Sequence, residues 1–113
     1  MKTVIKEQPS NTIDYKKVTN NDIFGLNKFG LFAAHCGKST IYNNMLYKLS
    51  YHWHSIDTIY NLIEINGRHG GWGDYTTLES ILQSLMNSDW VVYVPESKED
   101  VFELIKKYNW EPN

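Results

Sequence analysis

From Met45 to Trp53 the chain alternates: Met45, Tyr47, Leu49, Tyr51 and Trp53 fall on one side, and Lys48, Ser50 and His52 on the other, with Leu46 as the exception. A period of two with so many aromatics marks a half-buried strand. A strand cannot pair its own backbone N–H and C=O groups, so this stretch commits the chain to a sheet. The apolar run Leu31-Phe32-Ala33-Ala34-His35, between Gly30 and Cys36, suits a buried strand and would pair with 45–53 as a hairpin. Trp90-Val91-Val92-Tyr93-Val94 is the clearest further strand, and Pro95 stops it.

Two helices read almost as plainly. Thr76-Thr77-Leu78-Glu79 has the form of a capping box, with Leu78, Ile81, Leu82 and Leu85 as an apolar stripe behind it and Asn87-Ser88-Asp89 as its end. Ser97-Lys98-Glu99-Asp100 resembles a cap for a last helix. Its buried side is Val101, Phe102, Leu104 and Ile105, and Lys106 and Lys107 sit at its C-terminal end. Ser55 to Ile65 is ambiguous: Ile56, Ile59, Tyr60 and Ile63 have helical spacing behind a capping Ser55, while the β-branched content also suits a strand. The spacing predicts helix.

The first 22 residues are polar, with a strand expected at Thr3–Ile5 and a turn at Pro9-Ser10-Asn11. Gly25 and Gly30 bracket another turn, and Gly37-Lys38-Ser39 turns the chain again. These elements predict a single α+β domain over 1–113, a mostly antiparallel sheet with two to three helices packed on one face.

Composition narrows the function classes. A net charge of −2 gives no global attraction to nucleic acid or membrane, and the basic stripe of a nucleic-acid binder is absent. Charge is nevertheless uneven: residues 1–40 carry six Lys against three acids, and residues 70–113 three Lys against eight acids. Cys36 is the only cysteine, so no internal disulfide marks an oxidising compartment. The N-terminal residues lack the apolar core of a signal peptide, and no run approaches a transmembrane span, which predicts a soluble, cytoplasmic protein. Eleven Asn, ten Ile, ten Lys and eight Tyr against one Arg and two Ala point to an AT-rich genome, such as a bacterium of that type, its phage or a mobile element.

Residues 66–74, Asn-Gly-Arg-His-Gly-Gly-Trp-Gly-Asp, hold four of the seven glycines and the only arginine. Glycine-rich loops that also carry Arg, His and Trp are common seats of binding. Arg68 can pair with a phosphate or carboxylate, Trp72 or Tyr75 can stack on a ring, and Gly70, Gly71 and Gly73 let a ligand approach the backbone. The candidate binding residues are therefore Arg68, His69, Gly70, Gly71, Trp72, Asp74 and Tyr75. The competing use of the loop is a plain connection into the helix at 76–87, with Trp72 folded back on the core.

Other constellations fall short of a signature. Gly37-Lys38-Ser39-Thr40 has the end of a phosphate-binding P-loop, but Phe32 stands where its first glycine belongs. His52 and His54 share a side of a strand, about 7 Å apart, and His35, Cys36, His69 or Asp74 would have to complete a metal site. No His-x-x-x-His or Cys-x-x-Cys spacing supports one, and no cofactor is indicated. His35 cannot easily activate the adjacent Cys36, because neighbours on a strand point to opposite faces; Cys36 reads as a small core residue. With no catalytic signature, the chain is read as a small non-enzymatic binding protein. It would act through protein–protein contacts, by aromatic anchors and an acidic C-terminal surface, as an accessory or inhibitor protein of a phage, mobile element or AT-rich bacterium. The alternative is a protein that sequesters a nucleotide or other phosphorylated small molecule through loop 66–74. Homodimerisation is compatible with so aromatic a domain, though no motif specifies it.

Overall fold

In the computed structural model, which describes residues 15–35, 45–66 and 71–108, five antiparallel strands form one sheet. They are β1 (Phe32–His35), β2 (Leu46–His54), β3 (Asp57–Glu64), β4 (Trp72–Tyr75) and β5 (Trp90–Tyr93), in the order β4-β3-β2-β1-β5. Three helices accompany them: α1 (Asn20–Phe24), α2 (Leu78–Met86) and α3 (Lys98–Lys107), with a short 3-10 turn at Tyr15–Lys17. The α+β class and the antiparallel sheet are as the sequence pattern predicts. No helix among the described residues is long and apolar enough to cross a membrane. The strand expected at Thr3–Ile5 and the turns at 9–11 and 37–39 lie outside the described residues.

The helices do not share one face. Ala33, Tyr47, Leu49, Leu62, Trp90 and Val92 pack with Ile81, Leu82 and Leu85 of α2. On the opposite face Phe32, Ala34, Leu46 and Tyr93 pack with Leu104 of α3, flanked by Val101 and Ile105. The cause is visible in β1 and β5, which are apolar at consecutive positions and so present hydrophobic surface on both sides of the sheet. Leu46, the exception in the alternation of β2, sits under α3.

Segment 55–65 is strand, not helix. His54 pairs with Asp57 and Tyr47 with Glu64, so β2 and β3 form a long hairpin closed by Ser55 and Ile56. Ser55 has a φ of 58°, the left-handed backbone that two-residue hairpin loops need at their first position. The alternation of Tyr60, Leu62 and Glu64 on the buried side outweighs the helical spacing of the isoleucines.

Three further details depart from the sequence reading. The N-cap of α2 is Thr77, whose hydroxyl accepts from the Ser80 N–H at 3.1 Å; Glu79 therefore stands one position too early to close a capping box. Thr19 and Asp22 form a reciprocal capping box on α1 within a stretch expected only to be polar or turn-like. Phe102, assigned to the buried side of α3, is 62% exposed, while Leu104 is buried.

α3 is capped by Ser97, which accepts from the Asp100 N–H at 3.2 Å, while the Asp100 carboxylate accepts from the Glu96 N–H at 3.0 Å. That backbone N–H holds the Asp100 carboxyl below its ordinary range. A depressed carboxyl stabilises the fold fully above its unfolded pKa, about 4, and this contribution fades as pH falls through the native value. Asp100→Asn is expected to cost about 1 kcal/mol at pH 7, and the difference from wild type should vanish in urea titrations run in strong acid. Leu49→Ala, at a fully buried position under α2, should cost about 2–5 kcal/mol by the same measurement.

Candidate functional site

The long hairpin outruns the rest of the sheet. β1 pairs with β2 only at Leu46, Tyr47 and Lys48, with one more bond from the Leu49 N–H to the Leu31 carbonyl. β4 meets β3 at Leu62 and, after a register shift, at Tyr60. Beyond Tyr51 and Tyr60, the two strands pair only with each other among the described residues.

The base of this projection is braced. The Phe24 ring of α1 stands edge-on to Tyr51 at 4.7 Å, and the Tyr60 hydroxyl donates to Asn20 Oδ1 at 2.8 Å. Its end is open. Trp53 is 72% exposed and Ile56 88%, and Tyr51 at the brace is still half-exposed. Cross-strand pairing puts Trp53 opposite Thr58 on the α2 side of the sheet, and His52 and His54 opposite Ile59 and Asp57 on the other. Trp53 and Ile56 are thus both exposed at the end of the hairpin, whose other side carries His52, His54, Asp57 and Ile59.

The glycine-rich loop is placed differently from the sequence expectation. Arg68, His69 and Gly70 lie outside the described residues. Gly71 is exposed just before β4, and Asp74 is exposed on it. Trp72 is half-buried and folds back on the core, its ring 5.1 Å from Trp90 and 6.0 Å from Tyr75. The Tyr75 hydroxyl donates to Ser84 Oγ of α2 at 2.7 Å. Gly73, at a φ of 77°, bends β4 over the Tyr75 ring, which a Cβ there would meet at 2.7 Å. Trp72 and Tyr75 thus pack β4 against α2.

The histidines divide between the faces. His35 pairs with Trp90 on the α2 side and stands edge-on to its ring at 5.0 Å. His52 and His54 lie on the α3 side of the hairpin, so these three do not converge. Among the described residues, no three His, Cys, Asp or Glu side chains group as metal ligands. Cys36, His69 and residues 37–40 lie outside them.

The exposed hairpin residues were legible as aromatics but not as exposed. Alternation alone assigns Tyr51 and Trp53 to the same face as buried Tyr47 and Leu49. What exposes them is the shortness of the neighbouring strands. Tyr75→Phe should lower stability by about 0.5–1.5 kcal/mol through the lost Ser84 hydrogen bond, read from urea denaturation midpoints.

Compared with protein-family models, with curated proteins and with solved structures, the chain matches none, so its own geometry must speak for what it binds.

Proposed function

We propose that this protein is a small non-enzymatic binding domain that engages a protein partner through the end of its β2–β3 hairpin. The observation that carries the reading is the exposure of Trp53 and Ile56 at the tip of a hairpin that the rest of the sheet does not cover. Exposed at the tip, these side chains contribute little to folding, whereas burying each against a partner contributes about 1.5–3 kcal/mol. Tryptophan is the residue that most often dominates interfaces, because its large rigid surface is ordered at little entropic cost. Thr58, paired with Trp53 on the same side of the hairpin, gives the anchor a polar neighbour, while His52, His54 and Asp57 line the other side.

Of the described acids after residue 70, Glu79 lies on α2 and Glu99, Asp100 and Glu103 on α3, on opposite faces of the sheet, with Asp74 on β4 and Asp89 and Glu96 in the connections. The hairpin is therefore the better-defined contact, and the acids play no part in the proposed interface. An accessory or inhibitor role in a phage, mobile element or AT-rich bacterium agrees with the codon bias behind the composition.

A photo-crosslinking amino acid at position 53 or 56 is expected to trap a discrete partner. Trp53→Ala together with Ile56→Asp should weaken capture at least about thirtyfold, while changing unfolding free energy by less than about 0.5 kcal/mol. Capture unchanged by these substitutions would sink the reading. Sedimentation of the wild type and the double variant separates a foreign partner from a second copy of this chain.

A further inference from the structure

We propose that a second site, an open cleft of about 530 Å³ at the base of the hairpin, binds a ligand of the nucleotide class, a planar ring carrying a phosphate. The cleft lies where the α1–β1 connection, β2 and the first turns of α3 meet, and its size suits a ligand of that kind. Its lining combines lysines from three separate elements, Lys28, Lys48 and Lys98, with the rings of Phe24, Tyr51 and Phe102. Among the described residues no carboxylate lines it, and none of the three lysines forms an ion pair.

Three of the chain's ten lysines line this one hollow in a chain of net charge −2, a local positive charge that favours an anion there. Asp22, whose charge Lys28 feels, already accepts from the Thr19 N–H at 2.9 Å and from the Thr19 hydroxyl at 3.0 Å. Those bonds, with a smaller contribution from the Lys28 charge, hold its carboxyl below the ordinary range.

Lys48 is held in place by local structure. Gly30 adopts a φ of 87°, and a Cβ there would stand 3.0 Å from Lys48 Cε, so glycine makes room for the lysine stem. The Lys48 ammonium then rests 5.7 Å from the centre of the Phe32 ring. This lays the apolar stem along the wall and leaves the charged head for the cleft.

The rings complete the ligand class. Phe102 is 62% exposed on a helix whose Leu104 is buried, and Tyr51 is half-exposed beside Phe24. Exposed rings beside exposed ammonium groups bind planar aromatic anions, the ring by stacking and the anion by charge-assisted hydrogen bonds. A bare phosphate would leave the rings in water, and an uncharged ring would leave the lysines unanswered.

The test is titration of the full chain with AMP, GMP, CMP and UMP in turn, followed by backbone amide NMR shifts. At least one nucleotide should saturate with a dissociation constant below about 1 mM, with shifts centred on Gly30, Lys48, Val101 and Phe102. Lys48→Gln with Lys98→Gln should weaken that binding at least about tenfold. Lys28→Gln alone should weaken it less, and both variants should keep dispersed native spectra. The proposal is overturned if no nucleotide saturates, if the shifts lie elsewhere, if the double variant binds as tightly, or if inorganic phosphate binds as well as the nucleotides. Hairpin substitutions at Trp53 and Ile56 should leave nucleotide affinity unchanged, which keeps this outcome separate from that of partner capture.

Discussion

Everything in this fold leans on the burial of β1 from both sides. Leu31, Phe32, Ala33 and Ala34 are all buried, Ala33 toward α2 and Phe32 and Ala34 toward α3. Two alanines in succession keep the strand thin, so large side chains fill the layers on either side. On one side Tyr47 of β2 and Trp90 of β5, which pair with Ala33 and His35 of β1, meet edge to face with ring centroids 5.4 Å apart. On the other, the Tyr93 and Tyr108 hydroxyls lie 2.6 Å apart and Lys107 Nζ donates to Tyr93 at 3.1 Å, closing the seam between β5 and the end of α3. A bulkier residue at position 33 or 34 would push a helix off the sheet.

This two-sided packing also explains which parts of the fold were legible in the sequence. Strand β2 declared itself by strict alternation and β5 by its β-branched and aromatic run, while α2 and α3 showed apolar stripes behind capping residues. Local periodicity reports local geometry, and each of these elements was fixed locally. The side on which α3 packs was not, because it depends on the continuous apolar character of β1 and β5 taken together. Leu46 was the clue, an apolar residue out of phase on a strand that otherwise alternates.

The misread segment has a similar cause. Ile56, Ile59, Tyr60 and Ile63 satisfy helical spacing, but Ile56 is a loop residue and Ile63 is exposed. Their order in the chain carries no record of the cross-strand partners that decide β3, and those partners lie up to 17 residues away, as with Tyr47 and Glu64. The proposed contact residues were obscured in the same way. Trp72 and Tyr75 have the right chemistry for ligands yet serve the core. Trp53 has the phase of a core residue and is in water, because β1 and β4 stop short of it.

That shortfall separates two kinds of selection on one hairpin. Tyr47 and Leu49, and across the hairpin Leu62 and Glu64, are each buried among neighbours, so variation there is filtered by folding. From His52 to Ile59 the residues answer mainly to their own strand pairing, and nearly any sequence that keeps the turn at Ser55 will serve. The tip can thus vary in sequence while the scaffold beneath it keeps its packing.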